Sequence, residues 1–154
     1  MHRLIPATAA DAARLLAWRN DPVVRAASFD DRPIERADHV AWLERRLADP
    51  TVRLLIIEAE GAPVGQVRLD ADAAGRTAEV SIGLAAEARG RGLAVPVLQD
   101  ACAIAASELG ADLVIARVKP GNAASLRAFA QAGFVETGRD TDQVVMERPA
   151  RQAP

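Results

Sequence analysis

Residues 78–84 read as a strand and residues 93–109 as a helix, and between them stands Arg89-Gly90-Arg91-Gly92-Leu93-Ala94. This turn constrains the fold more than any other stretch. Two glycines at a helix start let the chain take backbone conformations closed to other residues. They also bring several free N–H groups to one point, with the helix dipole behind them. Such a turn suits a phosphate or pyrophosphate. Taken alone, it equally suits a chain that only needs to change direction, because short glycine patterns recur by chance.

The bulk properties narrow the choices. A chain of 154 residues, half of them hydrophobic, fits one domain with a proper core. The net charge of −2 gives no basic field to attract nucleic acid or an anionic membrane. Aromatics make up 3% and tyrosine is absent, which argues against base-stacking surfaces. Cys102 is the single cysteine, so no intrachain disulfide forms, and its apolar helical setting predicts a small core residue. His2, His39 and Cys102 make no metal-ligand pattern, so no metal is expected. No run reaches the ~18 apolar residues of a membrane span, and the first residues lack a signal-peptide pattern. A reducing, cytoplasmic setting is expected.

Along the chain, residues 3–5 predict a short strand. Thr8 and Asp11 read as a capping box, and Leu15, Leu16, Trp18 and Arg19 carry a helix that Pro22 is expected to stop. A loop follows through Asp30-Asp31-Arg32-Pro33, then Val40, Leu43 and Leu47 mark a second helix ending before Pro50. Residues 53–58, 64–70 and 78–84 predict three strands joined by tight turns, an antiparallel meander. After the glycine turn, Leu93, Val97, Ala101, Ile104 and Ala105 share a helix face. A β-branched strand over 112–118, a helix from Asn122 to its stop at Gly133, and strands over 134–137 and 143–147 complete the domain, residues 1–148. The tail 149–154 is expected to be disordered. The element order indicates an α+β sheet flanked by helices.

Several phosphate folds are excluded by their neighbours. A Walker loop needs Gly-Lys-Ser/Thr, which is missing. A dinucleotide fold needs a parallel βαβ unit, whereas the strands before this turn are antiparallel. The downstream sequence adds Val118-Lys119-Pro120-Gly121-Asn122-Ala123-Ala124-Ser125 and then Ala132-Gly133-Phe134. Together with the pattern Arg89-x-x-Gly92-x-Ala94, these segments resemble the GNAT acetyltransferase superfamily over nearly the whole chain.

The resemblance implies an acetyl-coenzyme A enzyme with a mixed, mainly antiparallel sheet of six to seven strands and about four helices. The sheet would splay between its fourth and fifth strands. Backbone amides of Arg89, Gly90, Arg91, Gly92, Leu93 and Ala94 would hold the pyrophosphate. Ser81, Ile82, Gly83 and Leu84, on a strand that usually carries a bulge, would pair with pantetheine as an extra half strand would. An N–H near Ile82 or Leu84 would polarise the thioester carbonyl. Asn122, Ser125 and Phe129 would line the thiol side, although Asn122 also suits a plain helix N-cap. Glu79 is the candidate general base and Ser125 a candidate acid. Many relatives protonate the leaving thiolate with a tyrosine at the position of Phe129, a departure this chain tolerates if the thiol leaves as thiolate, given its pKa near ~8.5.

For the acceptor, Trp18-Arg19-Asn20-Asp21-Pro22 and His39-x-x-Trp42 resemble enzymes acting on amino-sugar nucleotides, and also enzymes that acetylate ribosomal-protein N-termini. Trp18, Asn20, Arg25 and His39 are the substrate-binding candidates, with Arg19, Arg25 and Arg32 offered to a diphosphate. The expected partner is a small-molecule amine, most simply an amino-sugar nucleotide, bound by a monomer or homodimer. A protein N-terminal acetyltransferase and a non-catalytic acyl-CoA-binding module are the alternatives.

Overall fold

A computed structural model describes residues 1–151. Strand β1 (His2–Pro6) leads to a 3-10 turn, Ala9–Asp11, where Thr8 and Asp11 form the expected capping box. Helices α1 (Ala12–Asn20), α2 (Pro22–Ala27) and α3 (Arg36–Ala48) follow. The meander is β2 (Val52–Ala59), β3 (Ala62–Ala71) and β4 (Thr77–Leu84). Then come α4 (Ala94–Leu109), β5 (Leu113–Val118), α5 (Ala123–Gln131), β6 (Val135–Arg139) and β7 (Val144–Pro149).

The strands form one sheet in the order β1-β2-β3-β4-β5-β7-β6. All neighbours are antiparallel except β4 and β5, which run parallel and pair only at Thr77↔Leu113, Ala78↔Val114 and Glu79↔Ile115. Beyond Glu79 the two strands part, so the sheet splays between its fourth and fifth strands as the sequence predicts. The Glu60-Gly61 turn between β2 and β3 has positive φ at both residues, 53° and 79°, which matches the right-handed twist of its strands.

Strand alternation divides the sheet into two faces. Leu55, Ile57, Val67, Leu69, Val80, Val114 and Val144 pack against α4 and α5 in the main core. Burying each such side chain contributes about 1.5–3 kcal/mol. Leu54 and Ile56 point the other way and meet Leu15 and Leu43 from α1 and α3 in a smaller core. Cys102 is fully buried in the main core, and that burial pushes its thiol pKa up, opposed by the neighbouring Arg148 guanidinium.

Three expectations need correction. Pro22 does not simply stop the chain's helical course. It starts α2, because Asp21 caps Val23 N–H (2.8 Å) and Val24 N–H (3.4 Å), and a proline lacking N–H suits the first turn. The described residues therefore hold five α-helices, in keeping with the expected sheet flanked by about four. The expected bulge in β4 is missing: β4 stays in register with β3 from Gly65↔Leu84 to Ala71↔Ala78, and the irregularity lies at Ile57/Glu58 against β3. The end of the chain is ordered further than expected. Strand β7 reaches Pro149, and Ala150 is buried with its N–H bonded to Asp112 O at 2.8 Å, while residues 152–154 lie outside the described part.

Candidate active site

One side of the splay, where the cofactor residues were expected, is made of backbone. At the two ends of the β3–β4 ladder, Asp72 N–H donates to Thr77 O (2.9 Å) and Ala85 N–H to Val64 O (2.7 Å). Antiparallel pairs alternate between bonded and non-bonded. The odd-numbered residues of β4 therefore spend their backbone groups on β3. The N–H and C=O of Ile82 and Leu84 turn the other way, toward β5, which has already departed. Two residues named from the sequence thus present unpaired polar backbone to the cleft.

Gly65 makes this possible, and the sequence analysis did not single it out. A Cβ there would stand 2.3 Å from Gly83 O and 3.0 Å from Leu84 Cα. No side chain fits, so β3 presses directly on the open part of β4. The available signal was a lone glycine inside a strand pattern, a common mark of close backbone approach.

The glycine turn follows. Gly90 and Gly92 have φ of 76° and 74°, and a Cβ on either would meet nothing within 4 Å. Their role is conformational. Among the described residues, the N–H groups of Gly90, Arg91, Gly92 and Leu93 donate to no backbone carbonyl. Leu93 caps α4 without a side-chain bond. The free amides thus stand together at the positive end of a 16-residue helix. These residues fit a pyrophosphate, and residues 81–84 fit an amide-bearing pantetheine arm.

Asn122 caps α5, its Oδ1 accepting from Ser125 N–H at 3.1 Å, which leaves the amide nitrogen as the spare donor. Ser125 is half-buried in the first turn of that helix. Phe129, expected to line the thiol side, lies one turn further along the same helix. It is 4% exposed and packs edge-to-face on Phe134, with ring centroids 5.0 Å apart, so its ring belongs to the core.

The other side of the splay is made of side chains. Glu79 sits at the last paired position before the splay and accepts from Arg117 Nε at 2.8 Å. Directly across the ladder lies Asp70. Two carboxylates facing each other would repel. Asp70 is met by Arg68 Nε at 2.7 Å and Arg46 Nη1 at 3.3 Å, which offsets that cost. Both guanidiniums also lie over the Trp42 ring, at 5.5 and 5.8 Å. An alternating floor of arginine and carboxylate, roofed by Trp42, therefore leads up to the point where the strands separate. Of these residues only Glu79 had been named as a site residue. The others come together through strand register, which a linear sequence does not display.

The four expected acceptor contacts fare differently. Asn20 bonds Ile34 through both halves of its amide, at 3.0 and 2.8 Å, and so clamps the loop after α2. Arg25 Nε donates to Asp31 O at 2.9 Å, and Arg32 pairs with Asp30 through two bonds of 3.0 and 2.9 Å. Of the arginines offered to a diphosphate, Arg32 is thus paired within the loop, while Arg19 on α1 and Arg25 on α2 each donate one bond to a loop carbonyl, Asp30 O and Asp31 O. Trp18 packs on the smaller core. His39 is 2% exposed, with its ring 5.6 Å from Trp42. Its Nδ1 and Arg19 Nη1 are buried without hydrogen-bond partners. Burial first, and then the Arg19 charge, hold the His39 pKa below its ordinary value.

A splayed sheet, an uncapped glycine turn and a half-free strand define a coenzyme A-dependent acyltransferase fold. The family model for the acetyltransferase (GNAT) domain matches residues 3–135, and the chain belongs to that family. The L-methionine sulfoximine/L-methionine sulfone acetyltransferase of Pseudomonas paraeruginosa is 28% identical over 135 residues, spanning 84% of this chain and 78% of that protein. A crystal structure assigned as a phosphinothricin N-acetyltransferase superposes with a TM-score of 0.83 at 25% identity, covering 99% of this chain and 100% of the other. The spermidine N-acetyltransferase of Vibrio cholerae, solved with coenzyme A and spermine, has the same fold, with a TM-score of 0.83, 21% identity, and 95% and 92% coverage. The protein is an acetyl-CoA-dependent N-acetyltransferase acting on amines. Among the described residues no cluster of histidine, cysteine and carboxylate groups could hold a metal ion, and no helix is long and apolar enough to cross a membrane.

Proposed function

We propose that the acceptor is a small zwitterionic amine of the α-amino-acid type, acetylated by direct attack on the thioester. The observation that carries this reading is the alternating charge floor ending at Glu79, on the edge of the splay. Carboxylates there suit an ammonium group, and the flanking guanidiniums suit a carboxylate. The relatives that act on amino-acid analogues support the same class. The amino-sugar-nucleotide reading has less support, because Arg32 is paired with Asp30 and Arg25 spends its Nε on Asp31 O.

In this scheme Glu79 takes the ammonium proton, directly or through one water, and Arg117 holds its carboxylate toward the cleft. An α-amine with pKa near ~8 is already partly neutral, so the demand on the base is modest. The N–H of Ile82 or Leu84 meets the developing oxyanion, an interaction worth about 3 kcal/mol when preorganised. Acetyl-CoA supplies an activated acyl group whose thiol is a tolerable leaving group. The spare amide donor of Asn122 and the Ser125 hydroxyl serve the thiol side in place of the tyrosine.

The test is coenzyme A release with three amines: L-methionine sulfone, a nucleotide-linked amino sugar, and a peptide with a free N-terminus. The amino-acid analogue should give the highest kcat/KM by at least tenfold. Preference for the sugar nucleotide or the peptide would overturn the proposed class, and binding of acetyl-CoA without turnover of any amine would favour a non-catalytic module.

A further inference from the structure

Helix α2 is held at both ends by residues from opposite sides of the cleft. At its start, Asp21 Oδ1 lies 3.3 Å from Arg89 Nη2. Arg89 opens the glycine turn that follows β4. At its end, Ala26 O accepts from Lys119 Nζ at 2.7 Å. Lys119 is the chain's single lysine, and it follows directly on the last residue of β5. Strands β4 and β5 are parallel and part after Glu79 and Ile115. Their C-terminal ends therefore flank the open end of the cleft, and α2 bridges from one to the other.

The dimensions agree with a bridge. A six-residue helix is about 9 Å long. Two strand spacings, the gap left by one missing strand, are about 9.6 Å. The helix itself contributes little to its own hold. It has no buried residue and exposes Val23, with Phe29 exposed just beyond it. A helix this short does not persist by propensity. Its place is set by the Asp21 and Lys119 contacts and by the Arg25 bond to Asp31 O.

We propose that Lys119 and Arg89 are positioning residues that fasten α2 across the mouth of the β4–β5 cleft, and so fix the acceptor wall relative to the thioester. Arg89 does this from the turn that binds the cofactor. Binding acetyl-CoA and shaping the acceptor site are thereby coupled through one guanidinium, and that coupling acts in both directions. The inference rests on the cofactor lying at the turn 89–94, and not on which amine is the acceptor.

The test uses the full chain with three substitutions. Lys119→Met removes the donor and keeps the stem, Lys119→Arg restores a donor, and Asp21→Asn keeps the helix cap but removes the charge that faces Arg89. Amide exchange over residues 21–34 is followed with and without coenzyme A. In the wild type, coenzyme A should slow exchange there. In Lys119→Met, exchange should be roughly three- to tenfold faster, on the scale of one lost charge-assisted bond at a half-exposed site. In Asp21→Asn the response to coenzyme A should shrink. Lys119→Arg should behave as the wild type. In steady state with the best amine from the acceptor panel, Lys119→Met should raise the acceptor KM and leave the acetyl-CoA KM within twofold. Unchanged exchange in Lys119→Met, or a rise confined to the acetyl-CoA KM, would overturn the proposal. Failure of coenzyme A to bind at all would instead strike the cofactor assignment, which the Gly92 substitution below probes separately.

Discussion

The two halves of the cleft are built from different materials. The half proposed for the cofactor is backbone: the unpaired groups of Ile82 and Leu84, the amides around Gly90 and Gly92, and the first turn of α4. The half proposed for the acceptor is side chains: Glu79 with Arg117, Asp70 with Arg68 and Arg46, and Asn20 and Arg25 holding a loop. Backbone groups carry no charge that titrates and need few residue types, only conformations that glycine permits. Side-chain pairs can be rewritten without disturbing the sheet. One half can thus stay fixed to a common cosubstrate while the other is remade for each amine.

The largest effect should follow from damage to the backbone half. Gly92→Glu places a β-carbon at φ of 74° and a carboxylate where the pyrophosphate charge would lie. Acetyl-CoA affinity by calorimetry should fall by more than 100-fold, while the thermal unfolding midpoint should fall modestly, because a β-carbon at this φ is strained even though nothing lies within 4 Å of it; Gly92→Ala, which carries the strain without the charge, should keep more of the affinity. Retained affinity would move the cofactor off this turn and would remove the contrast between the halves.

Much of the backbone half was legible in the sequence, for the reason that makes it durable. A strand, a paired-glycine turn and a helix are local features, and their order survives without knowledge of the sheet. On the other half the sequence pointed to single residues such as Glu79, and not to the pairs they form. Asp70 and Glu79 are nine positions apart and become neighbours only through the β3–β4 register. Arg117 reaches Glu79 across 38 positions. Arg25 and Arg32 looked like a cationic patch because sequence displays charges and not the carboxylate or carbonyl that each one meets. Helix α2 was missed because its proline reads as a stop until Asp21 is seen to cap it.

A smaller effect is expected where the two halves meet. Glu79→Gln keeps an acceptor for Arg117 and removes the base. It should lower kcat by about 100-fold near neutral pH, the lower end of what one general base contributes, with acetyl-CoA affinity within twofold. The loss should shrink as pH rises toward 9, because the amine then deprotonates unaided. A deficit of constant size across that range would make Glu79 a structural member of the β4–β5 apex, tied to Arg117 and to no proton transfer.

The smallest effect separates the halves by pH alone. His39 is buried on the acceptor side, and its pKa is held below the ordinary value of about 6.5. The folded chain therefore keeps it neutral at a pH where the unfolded chain has begun to protonate it. Between those two values the unfolded state binds more protons, so stability rises with pH. The contribution is complete above about pH 7 and is lost as pH falls through about 6.5 toward the lowered value. Thermal midpoints of the wild type should drop over that window, and His39→Gln, which cannot charge, should show a flatter profile. Acetyl-CoA affinity measured over the same window should not differ between the two proteins, because no titrating group of the backbone half changes. Parallel stability profiles would mean that His39 reaches water and that its burial between α1 and α3 does not govern its charge. A cofactor affinity that followed the His39 substitution would show the two halves to be coupled through α3 as well as through α2.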